Sequence, residues 1–535
     1  LQKQSGNTGG LTWADVTIPP AGNTFTAVAN GSIANNKPVK IDTDGKVSEI
    51  KEVESATATM ENSANCTLVT SEGMYDAANV IAWDPDNDIL LVVYIQSSGA
   101  PYNLRYHIWK NSTSDTSFTQ QGSGGDINTN NIENVSLCWL SSNRFVLVYY
   151  EQTNSKSVIQ VGTLGNLGST PTITWGDKYD LDGQGTREYI SHKICKIGAN
   201  RVVIACKATS GGGSGRWTAG KPGIIVGDIT NDDEWTYRNA EQLSTTDFTQ
   251  ETKNYGHHFI EYNSTDDNIL VGLRNDNDTS DLIAVKVAAG NSATITKSSS
   301  LTQLLNADSS QLVGVYHPGS NKYVVAYEND GDSDIDTLTV DVNDSTLAIT
   351  KGSVVTIAEH PDGAGLALGV SGEGGLYCAY ITSLNIKIRN DYDFNGTIGW
   401  GGQQGNNNAP SGKCEWMNGD NVLFTENNKR LVVFFSESGH GGSDERKGRL
   451  TSFQTVSAAT TLTSGSTYVG FADQAYTNGQ TATIKTYGNT VDTLSGLTIG
   501  SKYMVLGDGT LTTTQQTGAG AALGPSNFGA SGNVP

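Results

Sequence analysis

One short apolar segment recurs seven times along the chain and sets the strongest limit on the fold. Each copy holds five mostly apolar, β-branched or aromatic residues, as in YVVAY at 323–327. The copies end at residues 94, 149, 206, 273, 327, 380 and 435, so the successive intervals are 55, 57, 67, 54, 53 and 55 residues. A short strand without polar alternation is typical of an interior strand with both faces covered. The sequence therefore predicts seven equivalent units, each with one buried central strand.

The residues around each copy recur as well. A Gly-, Pro-, Asn- or Asp-containing turn precedes the copy, as in HPGSN at 317–321, and such residues favour hairpins. A partner strand precedes that turn, a third strand follows the copy, and a fourth is indicated in several units, for instance SVVTIAE at 353–359. Four-stranded units of about 50 residues are typical of β-propeller blades. A tandem array of sandwich domains is the competing interpretation, but 55 residues is too few for one such sandwich.

The domain boundaries follow from where this repeat starts and stops. We expect an all-β chain in which a seven-bladed β-propeller is inserted into a small β-barrel or sandwich domain formed by both ends. The segment before the first partner strand, about 56–74, should complete the last blade. The predicted parts are an N-terminal arm at 1–20, the first part of the small β domain at 21–55, the propeller at 56–460, the second part of the small domain at 461–514 and a Gly-rich tail at 515–535.

Composition excludes some partners. The 535 residues carry a formal net charge of −21 and no basic cluster, which disfavours nucleic acid and anionic membranes as direct partners. No stretch approaches the roughly 20 apolar residues of a membrane span. Six cysteines show no metal-ligand spacing, and a Cys195–Cys206 disulfide across one hairpin stays open.

The terminal segments resemble those of virion appendage proteins of tailed bacteriophages, that is, tail fibres and related capsid or tail attachments. The residues that carry the likeness are TFTAVANGSIANNKPVKIDTDGKV at 24–47 and, at 469–511, the steps Val469-Gly470, Leu497-Thr498-Ile499-Gly500-Ser501-Lys502-Tyr503 and Asp508-Gly509-Thr510. The Gly-rich tail departs from the short apolar strand that usually ends such proteins. The resemblance implies a virion structural role in display or adsorption, other virion proteins as partners, a homo-oligomer with a trimer favoured, and no conserved active site.

Catalysis has no privileged residues in the sequence. A glycan hydrolase needs two carboxylates about 5–10 Å apart, one with a raised pKa. Glu188, Asp247 and Glu261 are candidates, but nothing distinguishes them among 55 acidic residues. A sialidase-like site would need an arginine cluster, and arginine is sparse. A glycan-processing propeller enzyme, or depolymerase, and a bacterial extracellular adhesion module are the alternatives to a virion protein.

Ligand binding is the better hypothesis for side chains outside the strand cores. We single out Trp217, Trp235, Trp400 and Trp416, whose rings would stack on sugars if exposed and would otherwise pack between blades or subunits. Three acidic runs, 84–88, 275–281 and 329–336, are candidates for calcium, but they lack the spacing of a twelve-residue calcium loop, and turn formation is the favoured explanation. No metal or cofactor is expected from the seven histidines, and the acidic surface favours a neutral host glycan or a protein receptor.

Overall fold

The computed structural model describes most of the repeat region and parts of both ends. The described residues are 24–60, 67–69, 73–84, 86–97, 102–111, 118–141, 143–183, 188–209, 216–246, 248, 258–275, 279–304, 309–329, 334–359, 364–372, 374–382, 385–392, 394–408, 414–417, 419, 422–425, 430–437, 446–460, 467–486, 502–505, 509, 511–512 and 525–527. The predicted arm at 1–20 lies outside these ranges, as do Cys66, Asp247 and most of the tail at 515–535.

The described chain is built of β-strands. The first group is β1 (Thr24–Val28), β2 (Pro38–Ile41), β3 (Val47–Glu49), β4 (Glu52–Met60), β5 (Thr67–Leu68), β6 (Met74–Asp84), β7 (Ile89–Gln96), β8 (Leu104–Asn111), β9 (Phe118–Gln120), β10 (Gly125–Asn128), β11 (Ile132–Ser141), β12 (Arg144–Glu151), β13 (Lys156–Gly165) and β14 (Thr172–Asp180). The second is β15 (Tyr189–Lys196), β16 (Arg201–Ala208), β17 (Pro222–Ile229), β18 (Trp235–Gln242), β19 (His258–Asn263), β20 (Asn268–Arg274), β21 (Ser280–Val287), β22 (Ile295–Lys297), β23 (Thr302–Gln303), β24 (Ser309–His317), β25 (Lys322–Asn329), β26 (Asp334–Val342), β27 (Ile349–Lys351) and β28 (Val355–Glu359). The third is β29 (Ala364–Val370), β30 (Leu376–Thr382), β31 (Asn385–Asp391), β32 (Gln404–Asn408), β33 (Cys414–Met417), β34 (Val422–Thr425), β35 (Arg430–Glu437), β36 (Lys447–Thr460), β37 (Thr467–Ala472), β38 (Thr481–Lys485), β39 (Lys502–Val505), β40 (Leu511–Thr512) and β41 (Pro525–Asn527).

Helical structure in the described ranges consists of the short 3₁₀ turn Gln152–Asn154 and a further 3₁₀ position at Gly419. In those same ranges no helix has the length and apolar character needed to cross a bilayer. The prediction of an all-β chain is confirmed.

The chain divides into two compact units. Residues 1–55 together with 456–535 form the terminal unit, and residues 56–455 form the repeat unit.

The repeat unit consists of antiparallel sheets whose strands follow one another in chain order. Sheets 1 to 6 are β6–β7–β8–β10, β11–β12–β13–β14, β15–β16–β17–β18, β19–β20–β21–β22, β24–β25–β26–β27 and β29–β30–β31–β32, with β9, β23 and β28 added to β8, β21 and β26. Sheet 7 holds β33 and β34 on one side of β35, and β36 with β4 and β5 on the other. A short parallel pairing of β29 with β33 joins sheets 6 and 7.

The seven apolar copies of the sequence form the second strand of each sheet, which confirms them as central strands. They lie in β7, β12, β16, β20, β25, β30 and β35, and their side chains are almost completely buried. Alternate residues face opposite neighbours: Leu91 and Val93 pack toward sheet 2, whereas Leu90 and Val92 pack toward sheet 7. Burial on both faces explains the continuous apolar pattern.

Seven hydrophobic clusters fill the spaces between consecutive sheets. Six of them join sheets 1 to 7 in order, and the seventh joins sheet 7 back to sheet 1 through Phe434 and Leu450 against Trp83 and Leu90. The first strand of each sheet also contacts the first strand of the next, and β33 and β34 of sheet 7 contact β6 of sheet 1. The sheets of the repeat unit therefore follow one another in a closed series.

The N-terminal segment of the repeat unit pairs with the last sheet, as its position in the sequence predicts. Thr67 and Leu68 of β5 lie opposite Leu450 and Arg449 of β36. Sheet 7 thus combines strands from both ends of the repeat unit.

The terminal unit combines the two chain ends in one sheet of order β1–β38–β37–β2–β3. Phe25 lies opposite Ile484, and Val39 lies opposite Gly470. At Gly470 the register shifts, φ is +155°, and a Cβ atom would meet the Lys485 carbonyl oxygen at 2.3 Å. The glycine of the Val469-Gly470 step is therefore required by close backbone approach.

Candidate functional site

A polar cavity of about 530 Å³ lies where turns of sheets 3 and 4 meet. We call it the hairpin pocket. Its wall comes from the turns that follow β15 and β17 in sheet 3, and from the turns that follow β19 and β21 in sheet 4. The lining residues are Ile197, Ala199, Asn200, Arg201, Asp228, Ile229, Thr230, Asn231, Arg238, Asp267, Val287, Ala289 and Gly290.

Arg201 fixes one side of the hairpin pocket by joining the two sheets. Its Nε donates to Asp228 Oδ1 at 2.7 Å and its Nη2 to Asp228 Oδ2 at 3.1 Å. Its Nη1 donates to the Ala288 carbonyl oxygen at 3.1 Å, and Nη2 also reaches that of Gly290 at 2.8 Å. Each guanidinium nitrogen of Arg201 is thus committed to the protein, which makes the residue a strut between sheets 3 and 4.

Arg238 reaches the same carboxylate because a β-bulge redirects it. The register between β17 and β18 shifts at this residue, since Val226 pairs with Asn239 but Gly227 pairs with Tyr237. Tyr237 packs on the sheet 2 side, whereas Asn239 donates to the Ala293 carbonyl oxygen on the sheet 4 side. The bulge lets Arg238 project toward sheet 4 together with Asn239, and bulges commonly serve to re-aim a side chain.

The Arg238 guanidinium is only partly used by the protein. Its Nε donates to Asp228 Oδ2 at 2.6 Å, and this is the hydrogen bond it makes within the described chain. The side chain is 25% exposed and lines the cavity. Both Nη groups are therefore available to a molecule in the pocket.

Asp228 is held ionised between the two arginines. Burial works to raise the pKa of its carboxyl, but hydrogen bonds from Arg201 and Arg238 outweigh burial and lower the pKa below its ordinary value. The hydrogen bonds that Arg201 donates to Asp228 raise the pKa of Arg201 in turn. A carboxyl held in this way orients its neighbours and has no proton to give near neutral pH.

A second cavity of about 540 Å³ lies between the same two sheets and is lined by 241–246 and 297–301, with Ile283. Its one cation, Lys297, is paired with Glu241 at 3.1 Å and donates to the Gln242 carbonyl oxygen. This cavity offers hydroxyl groups but no charged donor aimed at a ligand.

Two of the four tryptophans proposed as ligand contacts lie in the core. Trp217 and Trp235 are 7% and 8% exposed, and they donate from Nε1 to the carbonyl oxygens of Lys221 and Leu181. Their rings cover Gly223 and Gly227 of β17 so closely that a Cβ atom would lie 2.4 Å and 2.1 Å away. These two rings pack between sheets 2 and 3 and are not available to stack on a sugar.

Trp400 is half-buried against the cluster between sheets 5 and 6, and its Nε1 donates to Thr337 Oγ1 at 2.8 Å. The backbone of Trp416 lies in β33, and its side chain falls outside the described part of the structure. Trp217 and Trp235 both belong to sheet 3 and share one hydrophobic cluster, whereas Trp400 and Trp416 belong to sheets 6 and 7.

The carboxylates named as catalytic candidates do not form a described pair. Glu188 accepts a hydrogen bond from Thr209 Oγ1 at 2.8 Å, Glu261 is half-buried in β19, and Asp247 lies outside the described ranges. Two described carboxyls, Asp84 and Asp281, have pKa values raised by burial, and they lie in different sheets.

The acidic runs serve turns where the structure describes them. Asp84 Oδ1 accepts from the Asp86 backbone N–H at 3.0 Å, and its Oδ2 accepts from Asn87 Nδ2 at 2.7 Å. Residues 276–278 and 330–333 of the other two runs lie outside the described ranges. Across the described residues, no three His, Cys, Asp or Glu side chains are grouped in a way that could hold a metal ion.

The open question of a Cys195–Cys206 disulfide is answered by the structure, in which both thiols are free. Cys206 faces sheet 2 and Cys195 faces sheet 4, so the side chains project to opposite sides of sheet 3. Burial raises the pKa of both thiols well above the ordinary value.

The residues of the hairpin pocket form no motif that is recognisable in the sequence. Arg201 and Asp228 stand at the start and end of paired strands, where any strand can carry a charge. The bulge at Arg238 leaves no mark in WTYRNAEQ, whose letters are equally consistent with regular pairing. The one available signal was the longest repeat interval, 67 residues, which ends with sheet 4.

Comparisons with known proteins give partial likenesses in structure. Sqt1 from Chaetomium thermophilum has a TM-score of 0.38 and 12% identity, covering 72% of this chain and 97% of its own. A protein from Lactobacillus plantarum has a TM-score of 0.41 and 13% identity, covering 69% and 96%. The Aleuria aurantia lectin, solved with alpha-methyl-L-fucoside, has a TM-score of 0.39 and 10% identity, covering 64% and 99%. No protein-family model matches the chain, and the search of curated proteins gives no match.

Proposed function

We propose that this chain is a structural protein of a tailed-bacteriophage virion, displayed as a tail fibre or surface attachment and acting in host-surface recognition. The observation that carries the proposal is the pairing of the two terminal segments. Residues 24–47 and 469–511 resemble phage appendage proteins, and in the sheet β1–β38–β37–β2–β3 the two C-terminal strands lie between N-terminal strands. Because segments about 440 residues apart share one sheet, the two chain ends form a single domain.

The architecture of the proposal is a seven-bladed β-propeller inserted into that terminal β domain. Two features support it: the seven hydrophobic clusters that link sheets 1 to 7 and return to sheet 1, and the pairing of β5 with β36 in sheet 7. A ring closed by strands from both of its ends resists opening, because its first and last sheets cannot separate without breaking strand pairs. An adhesive protein on a particle needs such mechanical stability.

The role is binding and structural, without catalysis. Asp228, the carboxylate that lines the hairpin pocket, is ionised and shared by two arginines, and the described carboxyls with raised pKa values lie outside that pocket. The hairpin pocket is therefore suited to binding. Its location at exposed turns is where a scaffold of rigid sheets usually presents recognition residues.

Four measurements test the function. Mass spectrometry of particles purified by density gradient should find the chain at a fixed copy number per virion. Purified chain, added in excess to host cells, should compete with phage and slow adsorption, and a homo-oligomer, with a trimer favoured, should elute on size exclusion. Absence from the particles contradicts a virion role; unchanged adsorption contradicts host recognition; and release of sugars from host polysaccharide contradicts the non-enzymatic role.

A further inference from the structure

We propose that the hairpin pocket binds one residue of a neutral glycan, and that Arg238 and Asp267 form hydrogen bonds with its hydroxyl groups. The inference rests on the proposed function in host recognition and names the ligand class and the side chains. It starts from the one guanidinium in the pocket that has donors to spare.

The guanidinium of Arg238 is held in position before a ligand binds. Its Nε bond to Asp228 fixes the plane of the guanidinium, and Asp228 is itself fixed by two bonds from Arg201. A donor whose orientation is set before binding loses little freedom when a ligand arrives. The bulge that aims Arg238 into the cavity also breaks the regular pairing of β17 with β18, and bulges of this kind are enriched beside binding sites.

The volume of the hairpin pocket suits a small-molecule ligand. A cavity of about 530 Å³ falls within the usual range for small-molecule sites, which is roughly 300–1,000 Å³. The wall combines polar groups with the apolar side chains of Ile197, Val287 and Ala289. A sugar ring has both a hydroxyl edge and a C–H face, so a mixed wall of this kind suits it.

The charges that line the hairpin pocket favour a neutral ligand. The ionisable residues of the lining are Arg201, Arg238, Asp228 and Asp267, whose formal charges cancel. The whole chain carries −21, which opposes the approach of an anionic ligand. Asp267 is an acceptor at the sheet 4 side, where its Oδ1 takes a hydrogen bond from Tyr262 at 2.9 Å. A neutral hydroxyl can accept from Arg238 and another can donate to Asp267, whereas a carboxylate would meet Asp267 unfavourably.

The test uses the full chain and defined sugars. Saturation-transfer-difference NMR is recorded with methyl glycosides of glucose, galactose, mannose and N-acetylglucosamine, and with glucuronic acid and N-acetylneuraminic acid as the anionic arm. We expect transfer to at least one neutral glycoside. Arg238→Met should weaken that binding by at least about tenfold, or about 1.4 kcal/mol, since it removes the charge-assisted hydrogen bonds to the sugar hydroxyls. Asp267→Asn keeps an acceptor for Tyr262 and should weaken binding as well.

The matched control is Arg105→Met. Arg105 is 22% exposed, is paired with Asp126 at 2.9 Å in sheet 1, and does not line the pocket. Its loss should leave glycan binding unchanged, and thermal melts of all variants establish that each is folded.

Three outcomes overturn the inference: no transfer to any neutral glycoside, Arg238-dependent binding of the anionic sugars alone, or neutral-glycan binding that is equally strong in wild type and Arg238→Met. The result is separable from that of the virion role. Particles that contain a chain without glycan binding contradict this inference alone, whereas a glycan-binding chain absent from particles contradicts the proposed function alone.

Discussion

The ring of Phe259 is wedged between two glycines of neighbouring sheets, and this contact gives the sharpest test of how the sheets pack. Phe259 lies directly opposite Gly272 in sheet 4, and its other edge faces Gly314 in the first strand of sheet 5. A Cβ atom on Gly272 would lie 2.1 Å from Phe259 Cε1, and one on Gly314 would lie 2.3 Å from Cε2. Ordinary contact begins at 3.4 Å, so Gly272→Ala requires a displacement of 3.4 − 2.1 = 1.3 Å.

The ring has no room for that displacement, because the backbone of Gly314 closes the opposite side. We therefore expect Gly272→Ala to lower the free energy of unfolding by about 1–3 kcal/mol through overpacking. Phe259→Ala should cost about 3–5 kcal/mol by leaving a cavity. In the double variant the added methyl group enters that cavity, so the combined loss should be smaller than the sum of the two single losses by at least about 1 kcal/mol.

The assay is urea denaturation followed by intrinsic fluorescence, on wild type, both single variants and the double variant. Gly402→Ala is the control, since a Cβ atom there meets nothing within 4 Å and its φ is not positive. Additive losses in the double variant, or a Gly272→Ala midpoint equal to that of Gly402→Ala, would refute the packing of sheet 4 against sheet 5 described above.

Three further predictions follow from other parts of the molecule. His192 is fully buried, and burial lowers its pKa to about 3, so the unfolded chain takes up a proton below the ordinary pKa of 6.5 while the folded chain does not. Because of this residue, the free energy of unfolding should fall by up to about 1.4 kcal/mol per pH unit as the pH drops from 6.5 toward 3. The urea midpoint plotted against pH should have a shallower slope in His192→Asn than in wild type, and equal slopes would contradict the role of His192. Gly470→Ala should disrupt the pairing of β37 with β38, because the added Cβ atom would meet the Lys485 carbonyl oxygen at 2.3 Å, and hydrogen exchange should report lost amide protection at 481–485; unchanged protection there would count against the close approach. Arg201→Met should lower the free energy of unfolding by about 2–3 kcal/mol, because charged hydrogen bonds to Asp228, Ala288 and Gly290 are lost. A melting temperature equal to that of wild type would show that these hydrogen bonds do not stabilise the fold.

Features of the fold that depend on burial of whole strands were predictable from the sequence. YVVAY and its six counterparts are apolar at every position because each face packs on a different neighbouring sheet. The turns before them carry Gly, Asn and Asp because residues there adopt positive φ, as Asp88, Asp267 and Asn321 do.

Features that depend on individual side-chain contacts between strands were not predictable. Trp217 and Trp235 looked accessible because the sequence places them beside loops, and the glycines of β17 that receive their rings are identifiable only once the strands are paired. The hairpin pocket depends on a one-residue shift of register at Arg238, and on turns of two sheets separated by about 60 residues of chain. Neither leaves a periodic signal.

The most direct test of the central claim is electron cryo-microscopy of the purified phage particle at a resolution that separates strands. The account predicts a ring of seven sheets at the particle surface, with the two chain ends paired in one β domain. A particle whose surface proteins are all accounted for by other chains, or a ring with six sheets, would contradict it.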